Sequence, residues 1–229
     1  MQEYIQLDRS SLSEKTEFYK KTYTHVALGV LVFIMVISFF LNTPMIRDFA
    51  LSLTQGKMWF LMLGGFMFIT HQAEKMAIKS HDRNKQYIGF GIYIVAEAFI
   101  FIPMIYMAMS MTNGVDLIQQ AGILSVSLFA GLSAAVIFTN KDFSFLKTAL
   151  TVGGFIALGL IAAGLLFGFN LGLWFSVGMI ILAAGSILYQ TSNLVHVYSS
   201  DQYVAAALGL FASLMLLFWY ILRIFLSRD

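Results

Sequence analysis

The chain contains no cysteine, and only 11% of its 229 residues are charged. Without cysteine it can form no disulfide, carry out no thiol catalysis and build no metal site with cysteine ligands. A soluble domain has about 25% charged and 45–50% apolar residues, whereas 59% of this chain is hydrophobic. The scarcity of charge therefore argues against a soluble protein and makes the long apolar runs the main feature of the sequence.

Seven apolar runs, separated by short polar breaks, occupy most of the chain. A helix that crosses the hydrocarbon core of a bilayer needs about 20 mostly apolar residues. A soluble helical bundle would instead need polar helix faces, and these runs have almost none. We therefore predict an all-α integral membrane protein, a seven-transmembrane-helix bundle, whose short second span continues as a helix into the interface. The predicted spans are 22–41, 58–70, 87–109, 118–139, 145–169, 173–195 and 203–226.

The basic residues are distributed unequally between the two sets of loops. Short cytoplasmic loops carry an excess of lysine and arginine. Ten basic residues fall in the N-terminal segment and in the breaks after the second and fourth spans, against four on the opposite side. This predicts a cytoplasmic N-terminal tail, residues 1–21, followed by a membrane domain, residues 22–229, with its C-terminus outside. The tail is expected to be either a solvated terminus or a handle for a cytoplasmic partner, and it does not resemble a cleavable signal peptide.

Glu97 is the most informative ionisable residue of the sequence. It lies about ten residues into the third predicted span, which places it near mid-membrane at about 1.5 Å per residue. A charge at that depth costs about 3 kcal/mol on insertion scales. Glu97 must therefore face the bundle, be protonated or have a partner. Two interpretations stay open, a proton or cation site and a hydrogen-bonded acid that holds helices together.

Other polar side chains recur in the last two predicted spans. Ser186, Gln190 and Asn193 have helical spacing and share one face, while Ser213 lies at a depth similar to that of Glu97. Interhelical hydrogen bonds between such groups contribute on average about 0.6 kcal/mol each. The alternative to such bonding is a ligand site.

Proline and glycine mark irregular positions within the spans. Pro103 removes a backbone hydrogen bond from the third span and is expected to kink it. Gly164 and Gly168 form a small-xxx-small pair in the fifth span, a pattern typical of close helix packing. In the break before that span, Asp142 or Ser144 is expected to cap the helix.

No enzyme motif is present. The sequence has neither H-E-x-x-H nor G-x-S-x-G, and it has no glycine-rich phosphate loop. Its histidines lack the spacing of metal ligands. We therefore expect no catalytic activity, no cofactor, no bound structural metal and no nucleic-acid partner.

The C-terminal third carries motifs of a known family. The run GSILYQTSNLVH at 185–196 resembles the sixth-helix signature of the Bax-inhibitor/YccA family, and YVAAALGLFAS at 203–213 with YILR at 220–223 resembles its seventh helix. The break TNKDFSFL at 139–146 is similar to a short cytoplasmic connection of that family, and the chain's ending is similar to that of its YccA branch.

The resemblance implies a bundle of six helices around a central seventh, and it implies two activities. One is a pH-sensitive calcium leak, in which acidic residues on helices 6 and 7 share a proton. The other, in YccA-like members, is binding to the bacterial inner-membrane protease FtsH, which slows the attack of that protease on membrane substrates. This chain has Gln190 and Ser213 at the two acidic positions, and neither titrates near neutral pH. The departure favours a modulator of FtsH, either an inhibitory binding partner or a substrate of that protease, with a proton-linked calcium or cation leak through Glu97 as the alternative.

Overall fold

The computed structural model describes residues 12–79 and 82–227, and these ranges form eight α-helices and no β-strand. The predicted all-helical architecture is therefore confirmed. In chain order the helices are α1 Leu12–Leu41, α2 Pro44–Ser52, α3 Met58–Lys79, α4 Arg83–Met109, α5 Gly114–Thr139, α6 Leu146–Phe167, α7 Gly172–His196 and α8 Tyr203–Leu226.

Within the described residues, six helices are long and apolar enough to cross a membrane, namely α1, α4, α5, α6, α7 and α8. The second predicted span lies in α3, which continues to Lys79 as expected. Its last turns carry Gln72, Glu74 and Lys75, and it is not among the six helices that satisfy the length and composition of a span. The seventh span therefore remains a prediction, and it depends on α3.

Helix α2 is absent from the sequence-based prediction, which treated its residues as a break. Pro44 occupies its first turn, where a proline has no backbone bond to lose and its fixed φ suits a helix. Phe49 of α2 contacts Phe99 of α4, with ring centroids 6.2 Å apart. Arg47 lies over the Tyr106 ring at 5.4 Å. These contacts hold the short helix against the end of α4.

Helix α1 joins part of the predicted tail to the first span. It runs without interruption through the predicted boundary at residue 21. Phe18, only 1% exposed, is packed in the core, whereas Glu17 and Lys21 are exposed and form an ion pair at 2.7 Å. Residues 12–21 are thus a helical extension anchored by Phe18, and residues 1–11 lie outside the described residues.

The chain divides into two compact units. Unit 1 comprises residues 1–107 and 197–211, and unit 2 comprises residues 108–196 and 212–229. In unit 1, Gly29 of α1 faces the rings of Phe90 and Phe211, which meet edge to face at 5.7 Å. The absence of a side chain at Gly29 makes room for these rings, and aromatic packing fills the unit 1 core.

Unit 2 has its own apolar core. Ala157 of α6, Met179 of α7 and Tyr220 of α8 are buried together. Phe175 packs against Tyr220 with ring centroids 5.9 Å apart. The most apolar window of α6 is only 11% buried, against 72% for α8. Helix α8 is therefore the more enclosed of the two, and α6 presents most of its apolar surface outward.

Both ends of α6 differ from the sequence-based expectation. Gly168 has a positive φ of 74°, its N–H donates to the Gly164 carbonyl at 2.9 Å, and an added Cβ would meet nothing within 4 Å. Gly168 therefore ends the helix, which differs from the predicted packing role, because glycine adopts this conformation without strain. At the other end, Phe145 precedes the first turn and makes no side-chain cap. Asp142 and Ser144 instead form the preceding turn, through a hydrogen bond from Ser144 N–H to Asp142 Oδ1 at 2.8 Å.

Candidate functional site

Glu97 lies in the interior of unit 1, on the enclosed part of α4. Its side chain is 6% exposed, as is that of Tyr93 one turn earlier. The Tyr93 hydroxyl donates a hydrogen bond to the Glu97 carboxyl group. Residues four apart share a helix face, so the local geometry of α4 is sufficient to create this pair. Glu97 thus has an uncharged partner on its own helix.

A second carboxyl group approaches Tyr93 from α3. Glu74 is close enough to act electrostatically on the Tyr93 phenol. Glu74 follows the apolar part of α3, and burial raises the pKa of its carboxyl group, while the charge of His71 opposes that rise. Glu97, Tyr93 and Glu74 therefore form a line of three acidic side chains, which we name the unit 1 acidic line.

The close approach of α3 and α4 depends on Gly89. A Cβ added there would lie 2.6 Å from the Ala73 carbonyl oxygen and 3.0 Å from the Ala77 amide nitrogen. Ala73 and Ala77 are themselves fully buried. Small residues on both helices let their backbones touch. Because Gly89, Tyr93 and Glu97 are spaced four apart on α4, this contact sets the distance between Glu74 on α3 and the face of α4 that carries Tyr93 and Glu97.

The chemistry of the acidic line is proton exchange and hydrogen bonding. A carboxyl group donates only when it is protonated, whereas a phenol both donates and accepts. Tyr93 is therefore hydrogen-bonded to Glu97 and lies within the electrostatic reach of Glu74, which has His71 beside it. In the described part of the chain, no group of three or more histidine and acidic side chains is arranged to hold a metal ion.

In unit 2, the structure brings together two of the four polar residues that the sequence singled out on helices α7 and α8. The hydroxyl groups of Ser186 and Ser213 lie 2.8 Å apart and form a hydrogen bond. Gln190 and Asn193 are half-buried on α7.

Pro103, which the sequence also singled out, lies in unit 1 inside α4. The helix continues past it to Met109.

A second polar group in unit 2 was missed by sequence reasoning. Ser192, 1% exposed, donates to Asp142 Oδ1 at 3.2 Å and accepts from the Phe143 N–H at 2.9 Å. Next to it, the Thr191 hydroxyl lies 3.3 Å from that of Ser133 on α5. These bonds tie α7 to α5 and to the turn before α6. Their only signal in the sequence is two adjacent hydroxyl residues within an apolar helix.

The surroundings of Asp142 lower the pKa of its carboxyl group. The N–H and hydroxyl groups of Ser144, the Ser192 hydroxyl and the charge of His196 lower the pKa of its carboxyl group. Hydrogen bonds to a carboxylate favour its charged form. Asp142 is thus an ionised anchor of the turn between α5 and α6.

The sequence did not single out Tyr93 or Glu74 as site residues, for different reasons. The Tyr-x-x-x-Glu spacing of Tyr93 and Glu97 is a readable helical pair, and it was the available signal. Glu74 was assigned to the interface because of its charged neighbours, and only the packing of α3 on α4 relates it to Tyr93.

The sequence of this chain matches known proteins over nearly its full length. The sequence model of the family described as "Inhibitor of apoptosis-promoting Bax1" matches residues 15–229. The Escherichia coli K12 protein named "Modulator of FtsH protease YccA" is 29% identical over 225 residues, which are 97% of this chain and 96% of that protein. The Arabidopsis thaliana "Protein LIFEGUARD 4" is 29% identical over 219 residues, 93% of this chain and 85% of that protein.

A shorter match has higher identity. A Pseudomonas aeruginosa protein whose name assigns no function is 36% identical over 124 residues, so the match spans 54% of this chain and 55% of that relative. The family match confirms the resemblance carried by the motifs at 185–196 and 203–213. The chain belongs to the Bax-inhibitor/YccA family of membrane proteins.

Proposed function

We propose that this protein binds an FtsH-type membrane protease and slows the attack of that protease on other membrane substrates. The observation that carries the proposal is the alignment with the E. coli modulator of FtsH protease, which includes 97% of this chain and 96% of that relative. A relative in another E. coli strain is named an inner membrane protein. The proposed location is accordingly the bacterial inner membrane. The seven spans, the cytoplasmic N-terminus and the external C-terminus remain predictions from the apolar runs and from the basic residues of the loops.

The N-terminal tail, residues 1–21, is the proposed point of engagement, and its first eleven residues are the proposed handle. Residues 12–21 form a helix with exposed charged side chains, among them Glu14, Glu17 and Lys20. Phe18 anchors the same segment in the core of unit 1. A protease that pulls on residues 1–21 must therefore detach Phe18 before it can unravel α1. In this mechanism the protease is occupied by a chain that resists extraction.

The test is the degradation of a membrane substrate by FtsH in proteoliposomes, with and without this protein. A variant lacking residues 1–11 keeps Phe18, so it separates loss of the handle from loss of the fold. The control replaces residues 1–11 by a scrambled sequence of equal composition. We expect the native protein to slow degradation and the deletion variant to lose most of that effect. Full protection by the deletion variant would refute engagement through the tail, and no protection by the folded native protein would refute the function.

The buried pair of Glu97 and Tyr93 favours one alternative, a proton-linked leak of calcium or another cation. In this alternative Glu97 takes up and releases the proton, and the Tyr93 hydroxyl is its hydrogen-bond partner. Intramembrane acids of this kind commonly mark proton or ion pathways.

Ion flux in proteoliposomes tests the alternative. The Glu97→Gln variant keeps the size of the side chain but removes its titration, so a leak through Glu97 should lose its dependence on pH. Asp116→Asn is the matched control, because Asp116 is an exposed acid in the first turn of α5. Flux that is absent in the native protein, or identical in both variants, removes the alternative.

A further inference from the structure

A basic and aromatic cluster lies at one end of unit 1, apart from the acidic line. It consists of Lys21 and His25 of α1, Arg83 and Tyr87 of α4, and Tyr203 of α8. Arg83 and Tyr203 are the first residues of their helices. We name this group the interfacial cluster.

The Tyr203 ring is the centre of the interfacial cluster. The Arg83 guanidinium carbon lies 4.5 Å from the ring centroid and Lys21 Nζ lies 5.7 Å from it. The His25 ring lies beside it, tilted by 50°, with the two centroids 5.0 Å apart. Cations within about 6 Å of an aromatic centroid are attracted by the ring. The Tyr203 ring therefore contacts two permanently charged cations, Lys21 and Arg83, and the ring of His25, and these three residues belong to two other helices.

A chain of hydrogen bonds fixes the orientation of that ring. His25 Nδ1 lies 2.7 Å from the Lys21 carbonyl oxygen, and a carbonyl only accepts, so Nδ1 carries the proton. In the neutral ring Nε2 then accepts from the Tyr87 hydroxyl at 3.2 Å. The Tyr87 hydroxyl in turn accepts from the Tyr203 hydroxyl at 3.0 Å. The aromatic platform is thus held in place before any ligand arrives.

Arg83 has hydrogen-bonding capacity that the other residues of the cluster do not use. Glu17 is engaged by Lys21 at 2.7 Å, and Asp82 Oδ1 accepts the Asn84 N–H at 2.9 Å. Arg83 Nη1 is shielded from solvent and has no hydrogen-bond partner among the described residues. A shielded donor without an acceptor is energetically unfavourable. An oxygen ligand that reached Arg83 would therefore gain a charge-assisted hydrogen bond.

The position of the cluster indicates the source of such an oxygen. Lys21 immediately precedes the apolar part of α1, and Arg83 and Tyr203 begin the apolar helices α4 and α8. Tyrosine and basic side chains at the ends of membrane spans lie at the level of the lipid headgroups. We propose that the interfacial cluster binds the phosphate of an anionic phospholipid headgroup, with Arg83 as its hydrogen-bond donor and Lys21 as a second cation. The same phosphate chemistry fits free inorganic phosphate, which the experiment distinguishes.

The experiment measures lipid binding to the purified full chain in neutral detergent by native mass spectrometry. Phosphatidylglycerol is titrated against phosphatidylcholine, and inorganic phosphate is added as a competitor. Arg83→Gln should weaken phosphatidylglycerol binding about tenfold, as expected for loss of a charge-assisted hydrogen bond. Lys85→Gln is the matched control, because Lys85 is exposed and lies two residues away on α4; it should bind within about twofold of the native protein.

Lys21→Gln is a second variant, which keeps the test valid if Arg83→Gln fails to fold. Its side chain is 48% exposed, so the fold should tolerate the change, and phosphatidylglycerol binding should again weaken. Selective binding of phosphatidylglycerol that is lost in these two variants and kept in Lys85→Gln supports the proposal. Equal binding by all four proteins overturns it. Displacement of the lipid by millimolar inorganic phosphate overturns the lipid assignment and identifies a site for the free anion.

Discussion

Replacement of Gly89 by alanine tests the contact between α3 and α4. The added Cβ would lie 2.6 Å from the Ala73 carbonyl oxygen and 3.0 Å from the Ala77 amide nitrogen, which belong to the backbone. Backbone atoms of a helix cannot rotate away as a side chain does, so the two helices must separate. Overpacking of this kind costs about 1–3 kcal/mol.

The same substitution at Gly91 is the matched control. Gly91 lies two residues along α4, and a Cβ added there meets nothing within 4 Å. Both substitutions gain about 1 kcal/mol of helix propensity, so the difference between them isolates the steric cost. Gly89→Ala should therefore be less stable than Gly91→Ala by about 1–3 kcal/mol.

Thermal unfolding in detergent measures this difference. For a chain of this size, 1 kcal/mol corresponds to about 2–4 °C in the unfolding midpoint. Gly89→Ala should also move Glu74 away from Tyr93, because the same helix contact sets both distances. If the Gly89 and Gly91 variants unfold at the same temperature, α3 and α4 do not touch at Gly89 and the geometry of the acidic line is wrong.

Three further predictions concern other contacts. In a double-mutant cycle of Ser186→Ala and Ser213→Ala, the coupling free energy should be about 0.6 kcal/mol, the average for hydrogen bonds between membrane helices; zero coupling in chemical unfolding contradicts the 2.8 Å bond. The pKa of Asp142 is lowered in the fold, so its charge contributes stability above its unfolded pKa of about 3.9, and this contribution is lost as pH falls through the lower folded value. Asp142→Ala should thus be less stable than the native protein at pH 7, in thermal unfolding, and the difference should shrink below about pH 4; a constant difference argues against an ionic role. Because the chain has no cysteine, single cysteines at Gln55 and Asn84 report cleanly on topology. If α3 crosses the membrane, an impermeant thiol reagent should label them from opposite faces, whereas labelling from one face excludes the seventh span.

The class of the protein could be predicted from the sequence because long apolar runs leave few alternatives. Six of the seven predicted spans correspond to helices that satisfy the length and composition of a membrane span, and the family resemblance was readable from the motifs at 185–196 and 203–213. Helix α2 was not predicted, since its nine residues are too short for a clear periodic pattern. The small-xxx-small pattern at Gly164 and Gly168 was misleading at Gly168, because the same residue type serves helix packing and helix termination.

By itself the sequence determined the all-helical membrane architecture, the absence of thiol chemistry and the position of Glu97 within an apolar helix. Hydrophobicity and composition are properties of consecutive residues, so no tertiary information was needed. Only the tertiary structure decided which groups meet: Glu74 with Tyr93, Ser192 with Asp142, and Lys21 and Arg83 with Tyr203. Their separations along the chain range from 19 to 182 residues, and no helical period relates residues so far apart. The packing of one helix on another, as at Gly89, determines those distances.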